Sequence, residues 1–266
     1  MRLAKALMKI LQDTGSWARS NLGGRMYIEN PKTKGSGIKC VIPQNEPCRV
    51  GCDECFFSHG RSYLEPLKEN LPNIPKAEPF TVYRVNDGND SSVDLEKVLD
   101  VAKQFPMKFY NTCFVYNMKM FDAPVVLTVN GGRKTDLEFT KCEDDRLMFV
   151  RFRANSWNFA LARECIMWYA EKGIPVVMTW MAYHKEESIP KEYKSRYERE
   201  KRTINEYWCI KVDEWWRLMK NIWDSPYGKW VKSCGTADVH ECSLCGNCLM
   251  FYFRKVSCWA QQMRVE

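Results

Sequence analysis

The chain has 266 residues, 45% of them hydrophobic and 13% aromatic, with a formal charge of +7 from 40 basic and 33 acidic side chains. That composition excludes a disordered or collagen-like polypeptide, and no run of about 18 uncharged apolar residues is present to span a bilayer. The basic excess is mild, with positive runs interrupted by Glu and Asp, so it admits an anionic partner without demanding one.

Residues 1–11 place Arg2, Lys5 and Lys9 among apolar side chains without a continuous apolar centre or a small-residue cleavage site. A short amphipathic helix is expected there, not a secretory signal. Residues 13–37 carry turn chemistry, including Asn21-Leu-Gly-Gly and Lys34-Gly-Ser-Gly. A first strand is expected over 38–42. A loop holding Cys48, Cys52 and Cys55 follows, then a helix near 63–69 cut off by Pro72 and Pro75. A strand over 80–85 ends in Asn86-Asp-Gly-Asn-Asp90, and Ser91 and Ser92 are expected to cap a helix over 93–104. Strands are expected over 109–115, 125–129, 147–152 and 174–181, and a helix over 158–172 closed by Gly173. The charge-dense stretch 185–202 reads as a solvated helix. Trp208, Trp215, Trp216, Leu218, Met219 and Trp223 read as the apolar side of a last helix.

Six strands with helices between several of them predict a parallel α/β fold with right-handed crossovers. A closed eight-fold barrel takes about 250 residues by itself, so a partial (β/α)6 TIM-like barrel suits the space better. The expected organisation is an N-terminal extension over 1–37, the barrel core over 38–205, and a small C-terminal cysteine-rich metal-binding extension over 206–266.

The thirteen cysteines show no even disulfide spacing. They suit a reducing interior where thiols hold metal, which predicts a cytoplasmic protein. Cys48, Cys52 and Cys55 offer three soft ligands and leave one coordination position open, as an iron–sulfur cluster with a free iron requires. His59 completes a Cys3His zinc set as the alternative. Cys234, Cys242, Cys245 and Cys248 make a full four-thiol set within 15 residues. That set points to a second 4Fe–4S cluster or to structural zinc. Cys113, Cys142, Cys165 and Cys209 are expected to behave as small hydrophobes, with Cys40 and Cys258 structural. The substrate class stays open among peptide, nucleotide and small metabolite. A non-catalytic zinc-binding α/β protein that contacts nucleic acid is the alternative from another class.

Cys-x3-Cys-x2-Cys near the start of a strand–helix protein resembles the signature of the radical S-adenosylmethionine (radical SAM) superfamily. The motifs Cys55-Phe-Phe-Ser-His-Gly-Arg-Ser-Tyr63, Arg84-Val-Asn-Asp-Gly-Asn-Asp90 and Cys245-Gly-Asn-Cys248 are similar to those of uncharacterised phage- or mobile-element-associated members, over most of the chain. The resemblance implies a partial (β/α)6 barrel and an oxygen-sensitive enzyme. Cys48, Cys52 and Cys55 would hold a 4Fe–4S cluster whose open iron binds S-adenosylmethionine, which is cleaved reductively to a 5′-deoxyadenosyl radical. It also implies a reducing partner such as flavodoxin or ferredoxin, and no membrane. The family's Gly-Gly-Glu-like turn corresponds to Asn86, Asp87, Gly88, Asn89 and Asp90, which would take the methionine ammonium; the other reading is an ordinary strand-to-helix turn. Asn130 would suit the ribose or carboxylate, Arg153 and Asn155 the carboxylate, and 179–181 the adenine. The chain departs from the family at Glu54, where an aromatic residue usually precedes the third cysteine.

Overall fold

The computed structural model describes residues 26–59, 61–132, 137–202, 205–235 and 239–263, so the expected N-terminal amphipathic helix lies outside the described residues. Its strands are β1 (Ile38–Val41), β2 (Val82–Val85), β3 (Lys108–Thr112), β4 (Val125–Asn130), β5 (Leu147–Ala154), β6 (Val176–Trp180), β7 (Tyr197–Arg202), β8 (Asn205–Ile210) and β9 (Val231–Ser233). The helices are α1 (Phe56–His59), α2 (Leu67–Asn70), α3 (Leu95–Ala102), α4 (Phe159–Glu171), α5 (Val212–Trp223), α6 (Cys242–Cys245) and α7 (Asn247–Gln262).

Strands β1 to β6 stand side by side in chain order, with β9 beside β6, and every pairing in this seven-stranded sheet is parallel. Strictly sequential order means the sheet is wound in one direction only, without the reversal of a doubly wound sheet. The side chains obey the two-residue period of strands. Val85, Tyr110, Leu127, Val150, Phe152 and Met178 face one side, where Val98 of α3, Ala162 and Ile166 of α4, and Trp215, Leu218 and Met219 of α5 cover them. On the other side, Val82, Phe109, Val126, Phe149 and Val177 are covered by Phe251 and Tyr252 of α7. A bulge at Val125/Val126 turns Met148 to that side as well.

Three expectations are corrected. Residues 185–202 are not a helix: Pro190 interrupts them, two 3-10 turns follow one another, and β7 pairs antiparallel with β8. There the alternating charges stand across a hairpin, with Arg199 bridging Glu206 at 2.9 Å. The helix near 63–69 shrinks to α2, because Pro66 keeps the residue before it out of the helical region. Ser91 and Ser92 do not cap α3. Asp94, in the left-handed region, occupies its N-cap, while Ser92 Oγ bonds Thr112 Oγ1 (2.9 Å) and Ser91 Oγ takes Asn86 Nδ2 (3.2 Å).

The C-terminal stretch supplies β9 to the main sheet and α7 to its second face, so its residues belong to the core packing. Within the expected last helix, Trp215 is buried in α5, Trp216 and Trp223 are exposed, and Trp208 lies on β8. Among the described residues no helix is long and apolar enough to cross a membrane.

Phe251 meets Phe149 with ring centroids 5.2 Å apart. Phe251→Ala is therefore expected to destabilise the chain by about 3 kcal/mol, read as a lower urea midpoint. A loss under about 1 kcal/mol would show that α7 is not part of the core.

Candidate functional site

The loop bearing Cys48, Cys52 and Cys55 lies over the C-terminal ends of successive strands. After β2, Gly88 lets the Phe57 ring approach, since a Cβ there would sit 2.7 Å from it. After β4, a Cβ on Gly132 would lie 2.3 Å from Asp53 Cβ. Beyond β5 and β6, Trp157 Nε1 donates to Glu54 Oε1 (3.2 Å) and Tyr183 OH to Glu54 Oε2 (2.8 Å). The buried Glu54 carboxylate thus holds two aromatic donors. His59 Nε2 lies 2.6 Å from the Asp53 carbonyl, and the His59 carbonyl accepts from His184 N (2.7 Å). Its ring braces the loop.

After β3, the Cys113 thiol hydrogen-bonds Cys52, an arrangement unlike the small hydrophobe expected there. That bond holds the Cys52 thiol below its ordinary value, whereas burial pushes Cys48 up. Asp90 organises this corner by accepting from Cys113 N (2.6 Å), Thr112 Oγ1 (2.8 Å) and Ser92 N (2.8 Å).

The remaining expected site residues divide into two groups. Asp87 is engaged by Asn30 Nδ2 (2.6 Å), Tyr63 OH (3.3 Å) and Arg84 (3.4 Å). Asn89 donates to the Glu46 carbonyl (2.9 Å). Asn155 accepts from Trp157 N and Asn158 N and donates to Tyr183 OH, so its amide is used within the turn ahead of α4. In contrast, Asn86 (φ 64°) keeps a buried Oδ1 without a hydrogen-bond partner, and Arg153 keeps a buried Nε in the same condition. Asn130 ends β4 directly opposite Arg153.

The second thiol set gathers at the start of α7. Cys234 follows β9 and is tied by its N–H to the Met178 carbonyl (2.7 Å). Cys242 and Cys245 bound the single turn of α6, with Cys242 N donating to the Lys32 carbonyl (2.8 Å). Gly246, at φ 65°, breaks α6 from α7, and Cys248 lies in the first turn beyond it. Cys234 and Cys245 share a hydrogen bond. That bond, with Arg151, Lys32 and Arg153 nearby, holds Cys234 well below the usual thiol range against the opposing effect of burial. Burial pushes Cys248 up to about 11. His240 stands half-buried beside the set; burial and Arg202 push it down to about 4, so it is neutral and faces the Arg202 guanidinium at 2.8 Å.

One cavity lies against the second set, with about 1300 Å³ of empty space including its open mouth. Phe56 and Phe57 line it from the first loop, and Cys234, Cys242, Cys245 and Cys248 from the second. Between them lie Arg84, Arg151, Arg153 and Thr179, which continue the rows begun by Val82, Phe149 and Val177 on the α7 face of the sheet. Arg153 feels the charge of both Cys55 and Cys234, while burial and the neighbouring Arg151 bring it down to about 10.

Among the described residues no three His, Cys, Asp or Glu side chains draw close enough to hold a single metal ion. A cubane takes its thiolates at separate irons and asks for a wider arrangement than one ion does. The donor chemistry of both sets, all thiols, fits such a group, and the cations around Cys234 suit its negative charge. No family model, no curated protein and no solved structure matches the chain.

Glu54, Cys113, Lys32 and Arg151 are site residues that sequence reasoning missed. Arg84 and Arg151 carried a signal, being charged residues at alternate positions of otherwise apolar strands; Cys113 carried none. A Gly132→Ala substitution should push Asp53 and its loop off the end of β4. In metal-free protein, Cys52 and Cys55 should then be alkylated by iodoacetamide several-fold faster than in the parent, read by mass spectrometry. Unchanged rates would show that the loop does not depend on this close approach.

Proposed function

We propose that this chain is a radical SAM enzyme built on a partial (β/α)6 barrel. In this reading Cys48, Cys52 and Cys55 hold a 4Fe–4S cluster with one iron open to S-adenosylmethionine. Cys234, Cys242, Cys245 and Cys248 hold an auxiliary 4Fe–4S cluster. The observation that carries the reading is the bracing of the cysteine loop across the ends of β2 to β6, with Phe56 and Phe57 beside it lining a cavity that the second thiol set also lines. Loops at the C-terminal ends of parallel strands are where such sheets place their ligands. The sequential strand order, with α3, α4 and α5 all on one face, suits a segment of a barrel whose interior is the α7 side.

With its cofactors bound, the enzyme would reduce the sulfonium of S-adenosylmethionine and release a 5′-deoxyadenosyl radical that takes hydrogen from the substrate. The chain's own residues bind and shield. The unpartnered Oδ1 of Asn86 is the acceptor available to the ammonium in the 86–90 turn. Asp90 fixes Cys113 beside Cys52, and Trp157 and Tyr183 fix Glu54, the residue before Cys55. Phe56 and Phe57 close the cavity wall next to the loop and keep water from it. An electron donor of the flavodoxin or ferredoxin kind would serve the cluster.

The test is anaerobic reconstitution of the full chain, with iron, sulfide and zinc measured together with 5′-deoxyadenosine formed under reducing conditions. The parent is expected to retain cubane iron and sulfide and to make 5′-deoxyadenosine. Cys52→Ala should make none while keeping the metal of the second set. Zinc in place of iron at Cys48, Cys52 and Cys55, or undiminished product from Cys52→Ala, would sink the proposal.

A further inference from the structure

The cavity against the second thiol set is rich in donors and poor in acceptors. Buried Nε–H groups of Arg84, Arg153 and Arg202 have no hydrogen-bond partner, nor do Thr179 Oγ1 and Trp180 Nε1, and all five residues line it. Its charge is equally one-sided. Arg84 has Asp87 at 3.4 Å, and Glu200 stands behind His240 on the same strand as Arg202. Among the described residues, Lys32, Arg151 and Arg153 show no carboxylate partner within ion-pair reach. Arg151 donates to the Asn111 side-chain oxygen (3.1 Å) and lies over the Phe149 ring at 5.8 Å, and Lys32 Nζ lies over the Phe56 ring at 4.4 Å.

A metal group on four thiolates does not remove this excess. A cubane in its resting state, or one zinc ion, leaves such a set with a net charge of about minus two, short of the three unpartnered cations. S-adenosylmethionine does not supply the missing charge either, because its ammonium and sulfonium outnumber its carboxylate.

We infer that this cavity binds a second small molecule, an anion carrying phosphate or several carboxylates, gripped by Lys32, Arg151, Arg153 and Arg202. Guanidinium forks recognise both kinds of oxyanion in the same bidentate way, and a buried, water-poor site strengthens each contact. The anion's oxygens meet the unpartnered donors of Arg153, Arg202, Thr179 and Trp180. The inference stands on the cavity and holds whichever metal the thiols carry.

Isothermal titration calorimetry on the full chain tests it, with inorganic pyrophosphate and citrate as probes, on both metal-free and metal-loaded protein. At least one probe should bind saturably and weaken as salt rises. Pyrophosphate alone would assign a phosphate ligand, and citrate alone a polycarboxylate. Arg153→Gln, Lys32→Gln and Arg202→Gln should each lower the affinity about tenfold or more, with folding followed by circular dichroism. Lys103→Gln, at an exposed helix end, should leave it unchanged. Absence of binding by both probes in both forms, or binding that survives in every folded cavity variant, would overturn the inference. Probe binding in a chain that makes no 5′-deoxyadenosine would leave it intact and remove the enzymatic reading alone.

Discussion

A parallel sheet has two faces to cover, and in this molecule they are covered unequally. Three helices, α3, α4 and α5, cover the first face with a continuous apolar cluster. The second face receives one helix, α7, whose apolar contacts reach Val82, Phe109, Val126, Phe149 and Val177. One step further along the same strands the inward positions become Arg84, Asn111, Arg151 and Thr179, with Arg153 beyond. The inner face therefore changes from core to polar cavity within two residues on each strand. Burying unpaired guanidinium groups is costly, so stability and the identity of the cavity's contents are linked.

This division places both thiol sets. The helix that covers the apolar half starts at Asn247, so its first turn delivers Cys248, and the turn before it delivers Cys242 and Cys245, to the polar half. Asn247 Nδ2 donates to the Ser233 carbonyl (2.6 Å) and joins that turn to β9, from whose end Cys234 comes. The first loop approaches from the strand ends, where Gly88 and Gly132 provide room and Glu54 provides anchoring bonds. Both sets are thus held by the geometry of one sheet, and Arg153 stands between them.

Much of this was legible in the sequence, for identifiable reasons. Strands β1 to β6 announced themselves as short apolar, β-branched runs, and α4 through its helical pattern and the closing Gly173, whose φ is +71°. The two thiol sets were legible because close spacing along the chain forces closeness in space. What was missed depended on long-range pairing. β9 is three residues long, and only its partner β6 makes it a strand. The hairpin β7–β8 carries a charge pattern that serves a helix or a strand equally well, and the antiparallel partner decides. α7 was hidden because its start coincides with a cysteine motif and its apolar face is interrupted by Arg254 and Lys255. Cys113 joined Cys52 only through folding, since 61 residues of chain separate the two.

The central claim is that the thiols of the first loop hold a cluster with one iron reserved for a small-molecule ligand. The most direct measurement is Mössbauer spectroscopy of the full chain reconstituted with iron-57, before and after adding S-adenosylmethionine. The account predicts that one iron changes its spectrum on addition of the ligand, and that this response vanishes in Cys48→Ala while the second set's signal, where it is iron, persists. A spectrum indifferent to the ligand in the parent chain would contradict it.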